Sequence, residues 1–468
     1  MTSLSATLRF RIAAAAGAAA LTAGALASLQ PKLALGVLAF ALLVVFALRA
    51  PVAHLLVLLA VAIMVPPEIL NRFSVGGGVG SAGLLATDVL LVTGFLRALL
   101  ELPDEPLELR RTWLGGAIAG FLGLCLLQLW HGLRAGFALA DAVAEFRVLL
   151  SLAVVLLALP IVGRAGQLQR LLRGLVAVGI LLGAWGIAQW VFHLQFTDAA
   201  TATAGTEFST AGRTAGLYAF PAAIVLSLAA LTSGQVRRRT SQAALLAVAA
   251  LNLAALALTF ERTFWIGMAV GVAYLLARSS WPQRFRLLVG APVVVLFVAL
   301  ALWLLGPAEL HALGHRFASI RTYGSDPAFT YRQVENQMIE RHIAAHPITG
   351  SGLGASQLIG RPGTTVQPQP RRYAENGYVW LTWKLGLPLA GFLVLVLVSA
   401  AVWPQRGPPS PLRTLQIGSQ SALVALCVSA ATFSIFDSIA GPATLGLLLA
   451  LIATPSLAWP VGGHATRQ

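Results

Sequence analysis

The most constraining feature of the sequence is a series of fourteen apolar runs, most of them close to the length that crosses a lipid bilayer. A membrane-spanning helix needs about 20 mainly apolar residues, with a range of roughly 17–25. The first run follows Arg9 and Arg11 and is similar to a signal peptide, but no clear cleavage site follows, so we interpret it as a retained span. The runs are 12–29, 33–48, 51–66, 83–100, 113–130, 147–163, 174–192, 214–233, 242–260, 264–278, 287–306, 377–403, 418–436 and 439–458.

The composition excludes a soluble protein, because 57% of the residues are hydrophobic and only 10% are charged. A soluble domain carries about 25% charged residues. We therefore expect an all-α polytopic membrane protein with about 12–14 transmembrane helices. The net charge of +15 comes almost wholly from arginine, since Lys32 and Lys384 are the only lysines. This excess does not establish nucleic-acid binding, and no nucleic-acid partner is expected. Cys125 and Cys427 lie in apolar runs and offer no disulfide framework or zinc spacing.

The basic residues of the short loops predict the orientation of the chain. By the positive-inside rule these loops are cytoplasmic, and both termini fall on the same side. The opposite loops face the periplasm if the host is a Gram-negative bacterium. We therefore expect a multi-pass protein of the bacterial inner membrane. The residues that set this orientation are Arg49, Arg110, Arg111, Arg164, Arg170, Arg173, Arg237, Arg238, Arg239, Arg278, Arg284, Arg286, Arg406 and Arg413.

One loop, residues 307–376, is long enough to fold outside the membrane. It separates a set of N-terminal transmembrane helices, 1–306, from a C-terminal set, 377–468. The loop lies on the outer side although it carries seven arginines. Long loops are translocated largely regardless of charge, so the orientation stands and the arginines need another explanation.

The middle of this loop predicts one helix followed by a tight turn. The helix is expected to end near His346, because Pro347 disfavours helical geometry in the residue before it. Gly350, Gly352 and Gly354 then predict a turn that can lie close to another backbone. We expect a partly helical periplasmic loop that forms a lid over the outer membrane face. The residues that recur at helical spacing are Val334, Met338, Ile339, His342 and Ile343.

Four stretches in the second half of the chain carry recognisable patterns. They are "GRTAGLYAFPAAIVLSLAAL" at 212–231, "LTFERTFWIGMAVGVAYLL" at 258–276, "YRQVENQMIERHIAAHPITGSGLGA" at 331–355 and "ENGYVWLTWKLGLPLAGF" at 375–392. Together they resemble the O-antigen ligase and O-antigen polymerase family of membrane glycosyltransferases, over roughly residues 205–400. The resemblance implies a metal-independent GT-C-type fold and an undecaprenyl-diphosphate-linked glycan as donor, with the active site on the periplasmic face.

The fourth stretch places a carboxylate and an amide, Glu375 and Asn376, at the mouth of a span. Ligases of the family have a histidine before the asparagine, where this chain has Glu375. A carboxylate there is more similar to a polymerase variant, or to the related peptidoglycan polymerases. We expect transfer of the glycan to another lipid-linked repeat unit, in O-antigen or exopolysaccharide assembly. The alternatives are a ligase that uses lipid A-core as acceptor and a transporter of a lipid-linked anionic glycan. A chain-length regulator and membrane lipids are further candidate partners.

The chemistry of such a transfer indicates which residue types can carry it. Breaking the sugar–phosphate bond builds negative charge on the departing diphosphate, and guanidinium groups pair with phosphate oxygens in bidentate fashion. Several arginines can stabilise that leaving group in place of a metal ion, so we expect neither a metal nor a cofactor. The attacking hydroxyl needs a base, and Glu375 is the predicted catalytic residue. The predicted diphosphate- or substrate-binding residues are Arg213, Arg262, Arg332, Arg371, Arg372, Asn376 and Tyr378.

Each of these residues also has a structural explanation. Arg213 opens a span and can extend its charge to the membrane interface. Arg262 can pair with Glu261 in a tight turn, and Arg332 can lie on a solvated helix face. Glu375 can simply be favoured by the dipole at the start of a helix. Arg371 and Arg372 can contact lipid headgroups. Trp380 and Trp383 are expected to anchor the helix at the membrane interface.

Overall fold

The structure is a computed structural model that describes most of the chain from residue 31 to residue 454. The run 12–29, Arg213 and four of the arginines that predict the orientation, Arg110, Arg111, Arg237 and Arg406, lie outside the described residues. Helices make up almost all of the described chain, which confirms an all-α polytopic membrane protein. The described residues are 31–66, 69–70, 83–101, 113–192, 216–233, 236, 238–305, 311, 314, 318, 327–359, 369–405, 410–436 and 438–454.

We number the described helices α1 to α15 in chain order; a short 3₁₀ turn, Ser151–Ala153, joins α5 to α6. They are α1 Pro31–Arg49, α2 Pro51–Met64, α3 Ala86–Glu101, α4 Trp113–Arg134, α5 Leu139–Leu150, α6 Val154–Val162, α7 Ala165–Val191, α8 Phe220–Thr232, α9 Arg239–Leu258, α10 Arg262–Arg278, α11 Trp281–Leu305, α12 Pro327–Ala345, α13 Gly377–Val402, α14 Pro411–Ala430 and α15 Ala440–Ile452.

Each of the predicted apolar runs after the first overlaps one of these helices. Within the described residues six helical stretches are long and apolar enough to cross a membrane, and a seventh is gained if α1 and α2 count as one span bent by 119°. Several runs form shorter helices: α8 and α15 have 13 residues each. For α8 the reason is local, because residues 216–219 form a turn ahead of Pro221. The six stretches are Trp113–Arg134, Leu139–Val162, Ala165–Val191, Arg239–Leu258, Trp281–Leu300 and Gly377–Val402.

The last described helix, α15, lies at the centre of the bundle. Every residue from Ala440 to Ile452 is buried, and a helix that is apolar on all sides suits such a position. A Cβ at Gly446 would lie 2.8 Å from the carbonyl oxygen of Leu152, so α15 packs almost backbone to backbone against the 3₁₀ turn. Within the run 439–458, the segment Ala440–Ile452 therefore forms a core helix surrounded by protein.

The long loop contains the predicted helix and a small hairpin that was not predicted. Helix α12 spans Pro327–Ala345 and ends just before Pro347, which confirms the sequence prediction. Two short strands, β1 Gln357–Ile359 and β2 Gln369–Arg371, then pair antiparallel, with Gln357 opposite Arg371. The hairpin returns the chain to the start of α13.

Helix α13 is broken near its middle. Gly386 has φ 79° and ψ 162°, a left-handed backbone conformation that interrupts the helix, and Pro388 follows. Proline cannot donate a backbone hydrogen bond, and glycine adopts positive φ without a steric penalty. Lys384 and Leu385 before the break are buried, whereas Leu387 and Pro388 after it are exposed at the surface of the bundle. Irregular backbone at membrane depth is tolerated where neighbouring protein satisfies its polar groups.

The glycine-rich turn after α12 fills this break. The N–H groups of Ser351 and Gly352 donate to the carbonyl oxygens of Trp383 and Lys384 at 2.8 and 3.1 Å. In return, the N–H of Leu387 donates to the carbonyl oxygen of Pro347 at 2.8 Å. The turn thus satisfies backbone groups of α13 that have lost their helical partners.

The glycines of the turn are required by how closely the two backbones approach. Gly350 has φ 67°, and a Cβ there would lie 2.5 Å from the backbone nitrogen of Gly386. A Cβ at Gly386 would lie 2.1 Å from the carbonyl oxygen of Ile348. The turn therefore forms part of the wall of the bundle, about two helical turns along α13 from its start. The sequence predicted only a lid.

Candidate active site

The starts of α8 and α10 meet the end of α14 at one end of the bundle. The rings of Tyr218, Phe264 and Phe433 pack edge to face, with centroids 5.2 to 5.9 Å apart. The Tyr218 hydroxyl donates to the carbonyl oxygen of Ser434 at 3.4 Å. The stretches 212–231 and 258–276 therefore share one region with the segment that follows α14.

The start of α13 lies against the same segment. A Cβ at Gly377 would lie 3.2 Å from the carbonyl oxygen of Ala430. The hydroxyls of Thr263 and Thr432 are 2.9 Å apart, which brings the first turn of α10 to the same place. The end of α14 thus holds the two helix starts that carry Arg262 and Glu375.

Glu375 lies at the mouth of α13 beneath the loop helix α12. Its Oε2 is 3.4 Å from Nη2 of Arg332, and these side chains are 16% and 19% exposed. Its backbone N–H donates to Oε2 of Glu335 at 2.9 Å. The structure therefore brings together the predicted base and one of the predicted arginines, and adds a second carboxylate that the sequence interpretation did not include.

Glu335 is completely buried on the inner face of α12. Burial raises the pKa of its carboxyl to about 7, and the nearby charge of Glu375 acts in the same direction. The N–H of Glu375 and the guanidinium groups of Arg371 and Arg332 oppose this rise. Glu335 and Ile339, four residues apart, are the buried positions among residues 332–345 of the helix. The signal that could have revealed it is a charged residue one helical turn from a core position.

Arg371 and Arg372 end the hairpin and have different partners. The Arg371 guanidinium carbon lies 5.5 Å from the ring centre of Tyr373, close enough to the carboxylates to influence Glu335. Arg372 forms an ion pair with Asp141 at the start of α5, and both side chains are more than a third exposed. Exposed pairs of this kind contribute little to stability. Of these two arginines, Arg371 is the one whose charge lowers the pKa of the Glu335 carboxyl.

Arg262 is the first residue of α10 and is only 6% exposed. It follows a tight turn in which Phe260 has φ 53°, an uncommon conformation for a bulky residue. The indole N–H of Trp265 donates to the carbonyl oxygen of Leu256 at 2.9 Å and clamps that turn. This turn therefore fixes the position of Arg262 at the start of α10.

Asn376 and Tyr378 both have structural contacts. The Asn376 side chain caps α13 by accepting from the N–H groups of Tyr378 and Val379 at 2.9 and 3.2 Å. The Tyr378 hydroxyl donates to the carbonyl oxygen of Cys427 at 2.6 Å. Their role in substrate binding stays a prediction.

The interface position predicted for Trp380 and Trp383 is wrong. Both side chains are buried, at 2% and 1% exposure. The indole N–H of Trp380 donates to the carbonyl oxygen of Arg372 at 3.0 Å, which ties the hairpin to α13. Their bulk fills the space between loop and bundle, a role that hydropathy alone does not distinguish from an interface position.

A buried ion pair that the sequence did not predict supports the site from below. Nζ of Lys384 lies 2.7 Å from Oε1 of Glu145, and Lys384 is fully buried. Oε2 of Glu145 accepts from the N–H of Gly354 at 2.7 Å, and Lys384 donates to the carbonyl oxygen of Ala355. The pair thus pins the glycine-rich turn to α5 and α13. A lysine in an apolar run was the available signal, because such residues are rare and paired.

No group of three or more His, Cys, Asp or Glu side chains suited to a metal ion occurs in the part of the chain that the structure describes. Metal independence stays a prediction. The arrangement itself offers two carboxylates and two arginines at one helix start, with a third, buried arginine at the neighbouring helix start.

The fold and site define a polytopic helical membrane protein with a polar cluster at one end of its bundle. Residues 247–396 match the family model described as O-antigen ligase. This segment is therefore similar to the O-antigen ligase family, and the resemblance seen in the sequence is confirmed over residues 247–396. The matched segment includes Arg262, Arg332, Glu335 and Glu375. It supports a ligase-type or polymerase-type activity. No curated protein matches the chain.

Proposed function

We propose that the protein is a polymerase-type glycosyltransferase. It transfers an undecaprenyl-diphosphate-linked glycan to a sugar hydroxyl of another lipid-linked repeat unit, on the periplasmic face of the inner membrane. The observation that carries the proposal is the Glu375–Arg332 pair, 3.4 Å apart, at the mouth of α13. A carboxylate occupies the position where the ligase pattern has histidine, and an arginine already neutralises it.

The reaction makes one glycosidic bond and breaks one sugar–phosphate bond. The acceptor hydroxyl oxygen attacks the anomeric carbon of the donor, and its proton passes to the Glu375 carboxylate. The electron pair of the broken bond stays with the departing lipid diphosphate. Guanidinium groups stabilise this charge without a metal, and they remain charged throughout.

Arg332 can serve both partners of this reaction. In the resting site it pairs with Glu375. A bound diphosphate offers more negative charge and a better match to the planar guanidinium fork, so Arg332 would turn toward the donor. Glu375 is then left as an uncompensated base at the moment the acceptor arrives. Arg262 and Arg371 supply further positive charge from α10 and the hairpin.

The acceptor distinguishes this proposal from its alternatives. The full-length protein is reconstituted in liposomes with a purified undecaprenyl-diphosphate-linked oligosaccharide, with and without lipid A-core. A ladder of lengthened glycans without lipid A-core is the expected result. Product only when lipid A-core is present would replace the proposal by a ligase. Movement of the donor across the bilayer with no new glycosidic bond would replace it by a transporter.

A further inference from the structure

Glu335 is a buried carboxylate with one engaged and one unengaged oxygen. Its Oε2 accepts from the backbone N–H of Glu375 at 2.9 Å. Its Oε1 is buried, and among the described residues it has no hydrogen-bond partner. A buried charged oxygen without a hydrogen-bond partner is unfavourable, so we expect the carboxyl either to be protonated or to have a functional role that offsets this cost.

The charged groups that face Glu335 come from three places. Arg332 lies one turn earlier on the same helix, Arg371 comes from β2, and Glu375 comes from the segment before α13. Burial raises the pKa of Glu335 to about 7, whereas a solvated glutamate titrates near 4.3. This carboxyl therefore changes its charge near neutral pH.

We propose, on the basis of the function proposed above, that Glu335 is a positioning residue for the transfer reaction. Its Oε2 fixes the backbone of Glu375. Its protonation state sets the net charge of the Glu335–Glu375 pair, for which Arg332 and Arg371 are the common counter-charges. When Glu335 carries a proton, Arg332 has Glu375 as its acidic partner within this pair. When Glu335 is ionised, it competes for the arginines, and its charge favours the arrival of the acceptor proton on Glu375.

A purely structural role for Glu335 predicts something different. If Glu335 only held the Glu375 backbone, a glutamine would serve equally well, because its amide oxygen accepts the same hydrogen bond. The rate of Glu335→Gln would then follow pH as the wild type does. The dependence of kcat on pH therefore separates the two roles.

The test compares full-length variants in the liposome assay between pH 5.5 and 8.5. The wild-type kcat is expected to rise through an inflection near pH 7. Glu335→Gln should lose this inflection and, at pH 8, turn over about tenfold more slowly, the effect of one pKa unit of electrostatic help. Its KM for the donor should stay the same. Glu340→Gln is the matched control, because Glu340 is exposed on the same helix and should behave as the wild type.

Glu335→Asp keeps a titrating carboxylate and covers the case in which the glutamine variant does not fold. It should retain a pH inflection with a lower kcat. A wild-type pH profile in Glu335→Gln, or a flat profile in Glu335→Asp, would overturn the proposal. Failure of the proposed function looks different: there, Glu375→Gln itself would transfer glycan at the wild-type rate, at any pH.

Discussion

Two ion pairs anchor the first half of α13: an inner pair, Lys384–Glu145, within the helix, and an outer pair, Arg332–Glu375, at its start. They differ in burial and in how tightly they are enclosed. Lys384 and Glu145 lie 2.7 Å apart, and the lysine is fully buried. Arg332 and Glu375 lie 3.4 Å apart, and both side chains keep some exposure. The inner pair also bonds to Gly354 and Ala355. The comparison indicates that the inner pair is a fixed structural contact, whereas the outer pair can exchange partners with a substrate.

Breaking the inner pair should have the largest effect. Lys384→Ala leaves Glu145 buried without its counter-charge, which costs about 3–5 kcal/mol. We expect little folded protein, measured as the monodisperse fraction in detergent and the midpoint of thermal unfolding. The double variant Glu145→Gln/Lys384→Met removes both charges and should recover much of the folded fraction. A stable single variant would show that the pair is not a structural lock.

Removing the carboxylate of the outer pair should affect catalysis more than stability. Glu375→Gln keeps the size of the side chain but cannot accept the proton, so kcat should fall by about 10²–10⁴-fold. The thermal unfolding midpoint should stay close to that of the wild type. Glu375→His restores a proton acceptor that works near neutral pH and should recover part of the rate. Unchanged turnover in the glutamine variant would make Glu375 a structural residue.

Changing the shape of the cation in the outer pair should have a smaller effect. Arg332→Lys keeps the charge but lacks the planar fork, and we expect transfer to slow by roughly tenfold. Arg332→Ala should slow it by about 10²-fold, comparable to losing one donor to a developing anion. The control is Arg341→Lys, since Arg341 is exposed on the same helix. Equal rates in the three variants would remove Arg332 from the site.

The smallest effect concerns stability against pH. The pKa of Glu335 is raised to about 7 in the folded protein, so the folded state binds its proton more tightly than the unfolded state. This contribution to stability is present at low pH and is lost as pH rises through 7. Between pH 6 and pH 8 the loss is about 1.4 kcal/mol. Glu335→Gln should remove this part of the pH dependence in thermal unfolding; an unaltered dependence would mean that Glu335 does not titrate there.

The sequence predicted the helices well because lipid and protein interiors select for the same apolar runs. It did not predict which helices the protein itself surrounds: α15 is wholly buried, although its composition resembles that of a lipid-facing span. Lipid tails are as apolar as leucine, so hydropathy does not separate the two environments. The same limit explains the wrong assignment of Trp380 and Trp383 to the interface.

In the site, the sequence predicted Glu375 and its nearness to an arginine, because both lie in patterned stretches. It did not predict Glu335, because the helical pattern was drawn through apolar residues; that pattern included the buried Ile339, but not the charged residue one turn before it on the same face. The Glu145–Lys384 pair joins residues 239 positions apart, a separation that no local pattern reports. Contacts of this kind follow from the packing of whole helices.

The break at Gly386 has a consequence for the order in which the protein is made. The carbonyls of Trp383 and Lys384 and the N–H of Leu387 find their partners in residues 347–352. These partners are synthesised earlier and belong to the loop expected on the outer side. In hydrocarbon, backbone groups without partners cost several kcal/mol each. On the orientation expected from the sequence, insertion of α13 is complete only after the loop has been translocated and has folded back against it. A chain with a damaged loop is then left with a defective transmembrane helix.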